Sequence, residues 1–315
     1  MVNFNSSYNG MLAILVASFL WGTTGTVASY APDVSPLAIG AFAMGFGGIL
    51  LLYSARRCLL QDYSIMFRQP RLVVLGGLCV AIYPLAFYSS MRFSGVAIGT
   101  VVSLASAPCF AAILDRFLSK KTISMQWLLS FAMGAIGIVM LAMGKAAGDI
   151  AKSDDTLQMT GILLGLVAGL TYAGYSWAAK HLIDNGVSSK SAVAGLFGCA
   201  AMLLLPSLLL TGNNLFTNKV NIAVSLYMAI IPMFLGYLLF GFGLKSIDAS
   251  KATLLTLTEP LIATVLAVFI VGEEFQVIGW LGMVMVSLCL VVQSIKIPPK
   301  NVALPSEHKK WACSD

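Results

Sequence analysis

The chain has 315 residues, of which 58% are hydrophobic and only 10% are charged, and its formal net charge is +6. A soluble domain carries about 25% charged residues, so the composition excludes a soluble globular protein and indicates that a bilayer surrounds most of the chain. The basic residues lie in short loops between apolar runs, which is typical of membrane topology and not of a nucleic-acid-binding face.

Ten apolar segments are long enough to cross a membrane, since a spanning helix needs roughly 20 mostly apolar residues. In chain order they lie at about 10–30, 36–55, 72–91, 96–115, 125–144, 159–179, 191–211, 221–243, 252–271 and 277–295. The gaps between them are short and hold nearly all of the charge. The sequence therefore predicts an all-α membrane protein with ten transmembrane helices.

The distribution of Lys and Arg predicts how these helices are oriented. Ten spans put both termini on one side, and 15 of the 19 basic residues fall on that side while 4 fall on the other. Cytoplasmic loops carry the excess of Lys and Arg. We therefore expect a multi-pass protein of the plasma membrane, in bacteria the inner membrane, with both termini in the cytoplasm.

The two halves of the chain resemble each other at an offset of about 150 residues. The run GMLAILVASFLW from Gly10 aligns with GILLGLVAGLTY from Gly161, and Pro108 of span four aligns with Pro260 of span nine. The alternative is chance similarity between apolar helices. Because each repeat has five spans, an odd number, the second repeat must be inserted upside down relative to the first. Inverted repeats of this kind are typical of secondary transporters. The predicted boundaries are a cytoplasmic tail at 1–9, repeats at 10–144 and 159–295, an extracytoplasmic loop at 145–158, and a cytoplasmic tail at 296–315.

Short motifs within these repeats resemble those of the EamA-like family of the drug/metabolite transporter superfamily. They are Leu20-Trp21-Gly22 in span one, an Ala/Gly-rich turn into the proline-bearing span four, Glu259-Pro260-Leu261-Ile262-Ala263 in span nine, and Gly272-Glu273-Glu274 after it. The resemblance implies two EamA repeats forming a plasma-membrane carrier of small organic solutes, often an exporter of amino acids or related metabolites. It also implies a cavity lined mainly by spans one, three, four, six, eight and nine. One departure is Thr171-Tyr172-Ala173 in span six, which keeps the aromatic residue of span one but not the following glycine.

Glu259 is the acidic residue that the sequence places well inside a span. Such residues are costly in a membrane, and they usually face a cavity or a partner. Three roles are open: a carboxylate that couples transport to protons, a ligand for a substrate ammonium group, or a structural acceptor of hydrogen bonds. We expect Pro260 to kink the helix and free the Thr256 carbonyl, and the Thr256 hydroxyl, three residues before the acid, to donate to the carboxylate.

Span four carries the matching proline without the acid. Ser103 and Ser106 precede Pro108 there, so both hydroxyls are candidates for the cavity wall. Because Pro108 and Pro260 occupy matched positions, we interpret them as paired gating bends, although tolerated helix bends are the simpler alternative.

Four aromatic residues inside spans are further candidates for the cavity wall. Trp21 and Tyr172 are matched by the repeat, and Tyr83 and Tyr237 lie in spans three and eight. A buried indole N–H or phenol O–H needs a partner, which a cavity wall provides more easily than lipid does. An aromatic cavity with few charges suits a neutral or zwitterionic solute.

The remaining features favour a carrier over other classes of membrane protein. The chain has two histidines, no Gly-x-Ser-x-Gly motif and no embedded pair of carboxylates, so we expect neither an enzyme nor a bound metal or cofactor. The expected partners are a small-molecule substrate, the lipid bilayer and protons as a coupling ion, with no nucleic acid. We expect an alternating-access exporter of an amino acid or related neutral or zwitterionic solute, and an importer of the same fold, for example of a vitamin or nucleoside, is the alternative. A homodimer is one of the oligomeric states left open.

Overall fold

The computed structural model describes residues 4–145, 155–272 and 276–295, and these residues contain ten helical segments long and apolar enough to cross a membrane. The acidic pair Glu273-Glu274 and the predicted C-terminal tail lie outside the described residues. The prediction of an all-α protein with ten membrane-spanning helices is confirmed.

The first five spans begin with α1 (Phe4–Gly22), which α2 (Thr24–Ala28) continues after a one-residue turn. They go on with α3 (Pro36–Phe67), α4 (Pro70–Ser94), α5 (Val96–Phe117) and α6 (Met125–Lys145). The second span is much longer than the predicted 36–55, because the helix runs past Arg56 and Arg57. It ends only ahead of Gln69, whose own helical conformation is disfavoured by the proline that follows.

The second five spans contain more breaks than the first. They comprise α7 (Asp155–Asp184), α8 (Ser189–Thr211), α9 (Lys219–Met228) with α10 (Gly236–Leu244), α11 (Ala249–Leu255) with α12 (Thr258–Leu266), and α13 (Val277–Ser294). A π-helical segment at Ala229–Leu235 joins α9 to α10, and another at Ala267–Val271 follows α12. Spans eight and nine are therefore each built from several short pieces.

The helix contacts follow the symmetry of an inverted repeat. Span two packs on span seven, and span five packs on span ten, so each of these spans packs on the equivalent span of the other repeat. Span three packs on span six as span eight packs on span one, and span four packs on span six as span nine packs on span one. Spans one and six thus occupy equivalent central positions, each between two helices of the other repeat.

Small residues allow the central helices to approach closely. A Cβ on Gly161 of α7 would lie 2.5 Å from the Ser94 amide nitrogen of α4, and one on Gly165 would lie 2.9 Å from the Ser90 hydroxyl. The Ser90 hydroxyl donates a hydrogen bond of 2.7 Å to the Gly161 carbonyl. The glycine stripe of span six therefore permits direct backbone contact between the repeats.

The largest hydrophobic core surrounds these central helices. It joins Trp21 of α1, Tyr172 and Tyr175 of α7, Phe197 of α8 and Tyr237 of α10. Aromatic side chains from both repeats therefore converge on the middle of the molecule, and the candidate site lies among them.

Candidate functional site

A cavity of about 60 Å³ lies between the two repeats. Its lining residues come from spans one, two, three, six, eight and nine: Trp21, Thr24, Ile39, Gly40, Ala43, Met44, Tyr83, Pro84, Phe87, Tyr88, Tyr172, Tyr175, Met228, Met233, Tyr237 and Glu259. Pockets that hold drug-sized ligands measure about 300–1,000 Å³. The cavity is therefore smaller than a typical ligand pocket.

Five of the eight side chains predicted for the cavity line it: Glu259, Trp21, Tyr172, Tyr83 and Tyr237. Thr256, Ser103 and Ser106 do not line it. Span two contributes four lining residues and span four contributes none, which differs from the set of spans that the family resemblance implied.

A break in span nine positions Glu259. Helix α11 ends at Leu255, and α12 starts at Thr258 with Glu259 in its first turn. The partial positive charge of a helix N-terminus favours a carboxylate there. Pro260 fits the same turn, because the first amide groups of a helix have no partner within it. The combination of acid and proline therefore begins a new helix in the middle of the membrane.

Two expectations about Thr256 are wrong. The Thr256 carbonyl is not left free, because it accepts a hydrogen bond of 2.9 Å from the Glu259 amide. The Thr256 hydroxyl donates to the Thr253 carbonyl at 2.8 Å and accepts from the Tyr172 hydroxyl at 2.9 Å, so its proton is not available to the carboxylate. In the described part of the chain, no side chain forms a hydrogen bond or ion pair with the Glu259 carboxylate, which is half-buried at the cavity.

Span one packs directly against the turn that carries Glu259. A Cβ on Gly22 would lie 2.6 Å from the Ile262 Cβ and 2.9 Å from the Glu259 carbonyl oxygen, so only glycine fits at this contact. Next to it, the Trp21 indole donates a hydrogen bond of 2.8 Å to the Pro232 carbonyl in the π-helical segment of span eight. Residues 21 and 22 therefore link span one to both discontinuous spans.

The aromatic rings form a continuous wall around the cavity. The Trp21 and Tyr237 ring centroids are 4.8 Å apart, those of Tyr237 and Tyr175 are 6.1 Å apart, and those of Tyr175 and Tyr172 are 5.2 Å apart. Tyr83 continues the wall, with its centroid 5.4 Å from that of Tyr172. The hydroxyls of Tyr175 and Tyr237 are hydrogen-bonded to each other at 3.0 Å. Both repeats contribute rings, so a relative movement of the repeats would reshape this wall.

The two serines before Pro108 lie at a helix interface instead. Ser103 is buried and donates to the Gly99 carbonyl at 2.7 Å, and Ser106 donates to the Ser103 carbonyl at 3.3 Å. A Cβ on Gly169 of α7 would collide with the Ser106 hydroxyl and lie 2.8 Å from the Ser103 carbonyl. Gly169 therefore provides a close helix contact in this half, although span six lacks the glycine that follows the aromatic residue in span one. Helix α5 continues through Pro108, unlike the break near Pro260.

Charged and polar contacts close the molecule at one end of the cavity. Lys121, in the loop after span four, pairs with Asp248 at 2.6 Å and with Asp184 at 3.4 Å. The Trp177 indole donates to the Ser119 hydroxyl at 2.8 Å. These contacts join the first repeat to the second at the ends of spans four and six and the start of span nine. The cavity-lining residues come from the middle of the spans and from their opposite ends.

The ion pairs keep Lys121 charged. Burial alone would lower the pKa of Lys121, but the hydrogen bond to Asp248 and the charges of Asp248, Asp184 and Asp115 outweigh it, and the pKa is raised. Because this pKa is raised above the usual lysine value, Lys121 is protonated at neutral pH and loses its charge only as the pH rises through that pKa.

Several cavity residues were not among the sequence-based candidates. Tyr88 and Tyr175 were only two of many aromatic residues inside spans, and nothing in the sequence of span two marked Gly40 or Met44. A Cβ on Gly40 would lie 2.6 Å from the Tyr88 ring, so this glycine makes room for the aromatic wall. The contact joins residues 48 positions apart, so no local sequence pattern reveals it.

Comparison with known proteins is consistent with this architecture. The sequence profile of the EamA-like transporter family matches the chain twice, over residues 8–143 and 159–294. The chain belongs to the EamA-like transporter family. It is therefore a multi-pass transporter built of two family repeats, each with five of the ten spans.

Individual relatives of this EamA-like transporter cover nearly its whole length. It is 32% identical to an uncharacterized transporter of Bacillus subtilis, YwfM, over 94% of this chain and 97% of the relative. It is 25% identical to a probable amino-acid metabolite efflux pump of Salmonella typhimurium, over 91% and 95% of the two chains. A crystal structure with 18% identity superposes with a TM-score of 0.74 and covers 90% of this chain and 96% of that one, which shows the shared fold.

Proposed function

We propose that this transporter exports a small organic metabolite that carries an amino group, an amino acid or a related compound, by alternating access through the Glu259 cavity. The observation that carries the proposal is the half-buried carboxylate without a partner, set in an aromatic cavity between the two repeats. An intramembrane carboxylate of this kind suits the binding of an ammonium group or a proton.

The closed end supports the alternating-access mechanism. The contacts of Lys121 with Asp248 and Asp184 join the two repeats on one side of the cavity. When these contacts separate and the opposite end closes, the same cavity faces the other side of the membrane. The distribution of basic residues favours a cytoplasmic location for the Lys121 end and for both termini. In the proposed arrangement the present state is closed toward the cytoplasm.

The proposal also includes the coupling ion, which is the proton, and the direction of transport, which is export. A proton and a substrate ammonium group would compete for Glu259, so an inward proton flux would drive solute outward. The name of the Salmonella relative, an amino-acid metabolite efflux pump, favours this direction. An importer of the same fold for a vitamin or nucleoside is the second candidate, because alternating access has no fixed direction. The proposed cellular location is the plasma membrane. The proposed repeats span residues 10–144 and 159–295, and the oligomeric state stays open between monomer and homodimer.

Counterflow into liposomes tests the carrier function. Liposomes with the purified protein are loaded with one unlabelled solute from a panel of amino acids, amines, vitamins and nucleosides, and uptake of the same labelled solute is measured. We expect transient, saturable accumulation of at least one solute that carries an amino group. Non-saturating flux that never exceeds equilibration would identify a channel and contradict the proposal, while counterflow of only a nucleoside or vitamin would favour the second candidate.

A further inference from the structure

The cavity carries one negative group and no positive one. Among its lining residues Glu259 is the only ionisable carboxylate, and Lys, Arg and His are absent. Lys121 pairs with Asp248 and Asp184, and none of these three residues lines the cavity. A charge removed from water needs an opposite charge or several hydrogen bonds. An ionised Glu259 therefore favours a ligand that brings a positive charge.

The aromatic wall favours the same sign of charge. The rings of Trp21, Tyr83, Tyr172 and Tyr237 line the cavity, together with the carboxylate of Glu259. The face of an aromatic ring is electron-rich and attracts a cation within about 6 Å of its centroid. Rings and carboxylate therefore both favour an ammonium group, and the rings offer no compensating attraction to an anion.

Most of the hydrogen-bond donors that could receive a ligand carboxylate are already used. The Trp21 N–H donates to the Pro232 carbonyl, the Tyr172 hydroxyl donates to Thr256, and Tyr175 and Tyr237 share one hydrogen bond. Among the described residues, the hydroxyls of Tyr83 and Tyr88 have no hydrogen-bond partner, and whichever of Tyr175 and Tyr237 accepts in their shared bond keeps its own O–H proton. These neutral donors fit a carbonyl or hydroxyl group of a ligand, but they do not offset the repulsion between a ligand carboxylate and Glu259.

We propose that the preferred substrate is a small organic monocation, a primary amine without a free carboxylate, and that zwitterionic amino acids bind more weakly. This inference rests on the proposed function and names the substrate class of the same cavity. The ammonium group lies at Glu259 against the faces of the aromatic rings, and an apolar or uncharged polar remainder contacts the methionines and the free tyrosine hydroxyls.

Three compounds with the same branched hydrocarbon chain test the preference. 3-Methylbutylamine is cationic, leucine is zwitterionic and 4-methylpentanoate is anionic at pH 7. Titration calorimetry of the full-length protein in detergent measures their affinities. The amine and leucine both bring an ammonium group, but only leucine also brings a carboxylate, which Glu259 repels. The amine should therefore bind about tenfold tighter than leucine, or more. The anion should show no binding. Equal or tighter binding of leucine, or no binding of the amine, would overturn the inference.

Substitutions of Glu259 test whether the preference for the amine over leucine depends on the charge of this residue. Glu259→Gln should lose the preference for the amine over leucine, whereas Glu259→Asp keeps the charge and should retain it even if both affinities fall. Asp33→Asn is the matched control, because Asp33 is an exposed carboxylate outside the cavity that accepts a hydrogen bond from Asn221 at 3.0 Å. An amine preference that survives in Glu259→Gln overturns the inference.

The same protein preparation separates the two proposals. If leucine shows counterflow and binds at least as tightly as the amine, the transporter function stands and only the proposed substrate class fails. If no amine, amino acid or other solute of the panel shows counterflow, the proposed function fails with it.

Discussion

Replacing Gly22 with alanine tests how span one holds the turn at Glu259. The added Cβ would lie 2.6 Å from the Ile262 Cβ, 2.8 Å from its Cγ2 and 2.9 Å from the Glu259 carbonyl oxygen. Carbon atoms prefer separations of about 3.5–4.0 Å. The two backbones must therefore move apart by about 1 Å. Because one contact atom belongs to the backbone, a rotamer change cannot relieve the collision.

The expected cost follows from this collision. Overpacking of a well-packed site destabilises a protein by about 1–3 kcal/mol. The displacement acts on the first turn of α12, so it also moves the carboxylate relative to the aromatic wall. If about 1.4 kcal/mol of the cost falls on binding, the affinity for an amine drops about tenfold. Gly22→Ala should therefore lower both the melting temperature in detergent and the affinity measured by calorimetry.

Gly25→Ala is the control for this experiment. Gly25 lies three residues further along span one, and no atom lies within 4 Å of a Cβ added there. Alanine is the better helix former by about 1 kcal/mol, so this variant should melt at or above the temperature of the wild-type protein and bind normally. If Gly22→Ala and Gly25→Ala behave alike, span one does not pack against the Glu259 turn as the structure has it.

Three further substitutions address the closure and the cavity wall. Lys121→Gln removes the ion pairs with Asp248 and Asp184, and because these pairs are partly exposed it should weaken closure by only about 0.2–1 kcal/mol. Faster hydrogen–deuterium exchange in residues 115–124 would detect this, and unchanged exchange would show that the pairs do not hold this end closed. Trp21→Phe leaves the Pro232 carbonyl without its donor and should destabilise the protein by about 1–3 kcal/mol, so an unchanged melting temperature would argue against this hydrogen bond. Ser106→Ala should leave counterflow unchanged, since Ser106 does not line the cavity, and a loss of transport would restore its original assignment.

Much of the fold follows from the sequence because the membrane imposes simple rules. Apolar length and charge distribution predict the ten spans, and the offset similarity predicts the two repeats. The Glu259 carboxylate and the matched pair Trp21 and Tyr172 could also be found, since polar groups inside spans need partners. All three residues line the cavity.

The rest depends on helix faces that the sequence does not distinguish. In a membrane protein, apolar side chains face both lipid and neighbouring helices, so hydrophobic periodicity does not reveal which face meets a cavity. This is why Ser103 and Ser106 were assigned to the wall although they meet Gly169 of span six. The break before Glu259 was also missed, because a proline in a span predicts a kink but not that a new helix begins around it.

The most direct test of the account is solute accumulation driven by a pH gradient in liposomes that contain the wild-type protein, Glu259→Gln or Asp33→Asn. If Glu259 is the shared site for proton and ammonium, the wild-type protein and Asp33→Asn should accumulate a labelled solute above equilibrium toward the acidic side. Glu259→Gln should not accumulate it. Accumulation by Glu259→Gln at the wild-type rate would contradict the account and leave this carboxylate with a structural role.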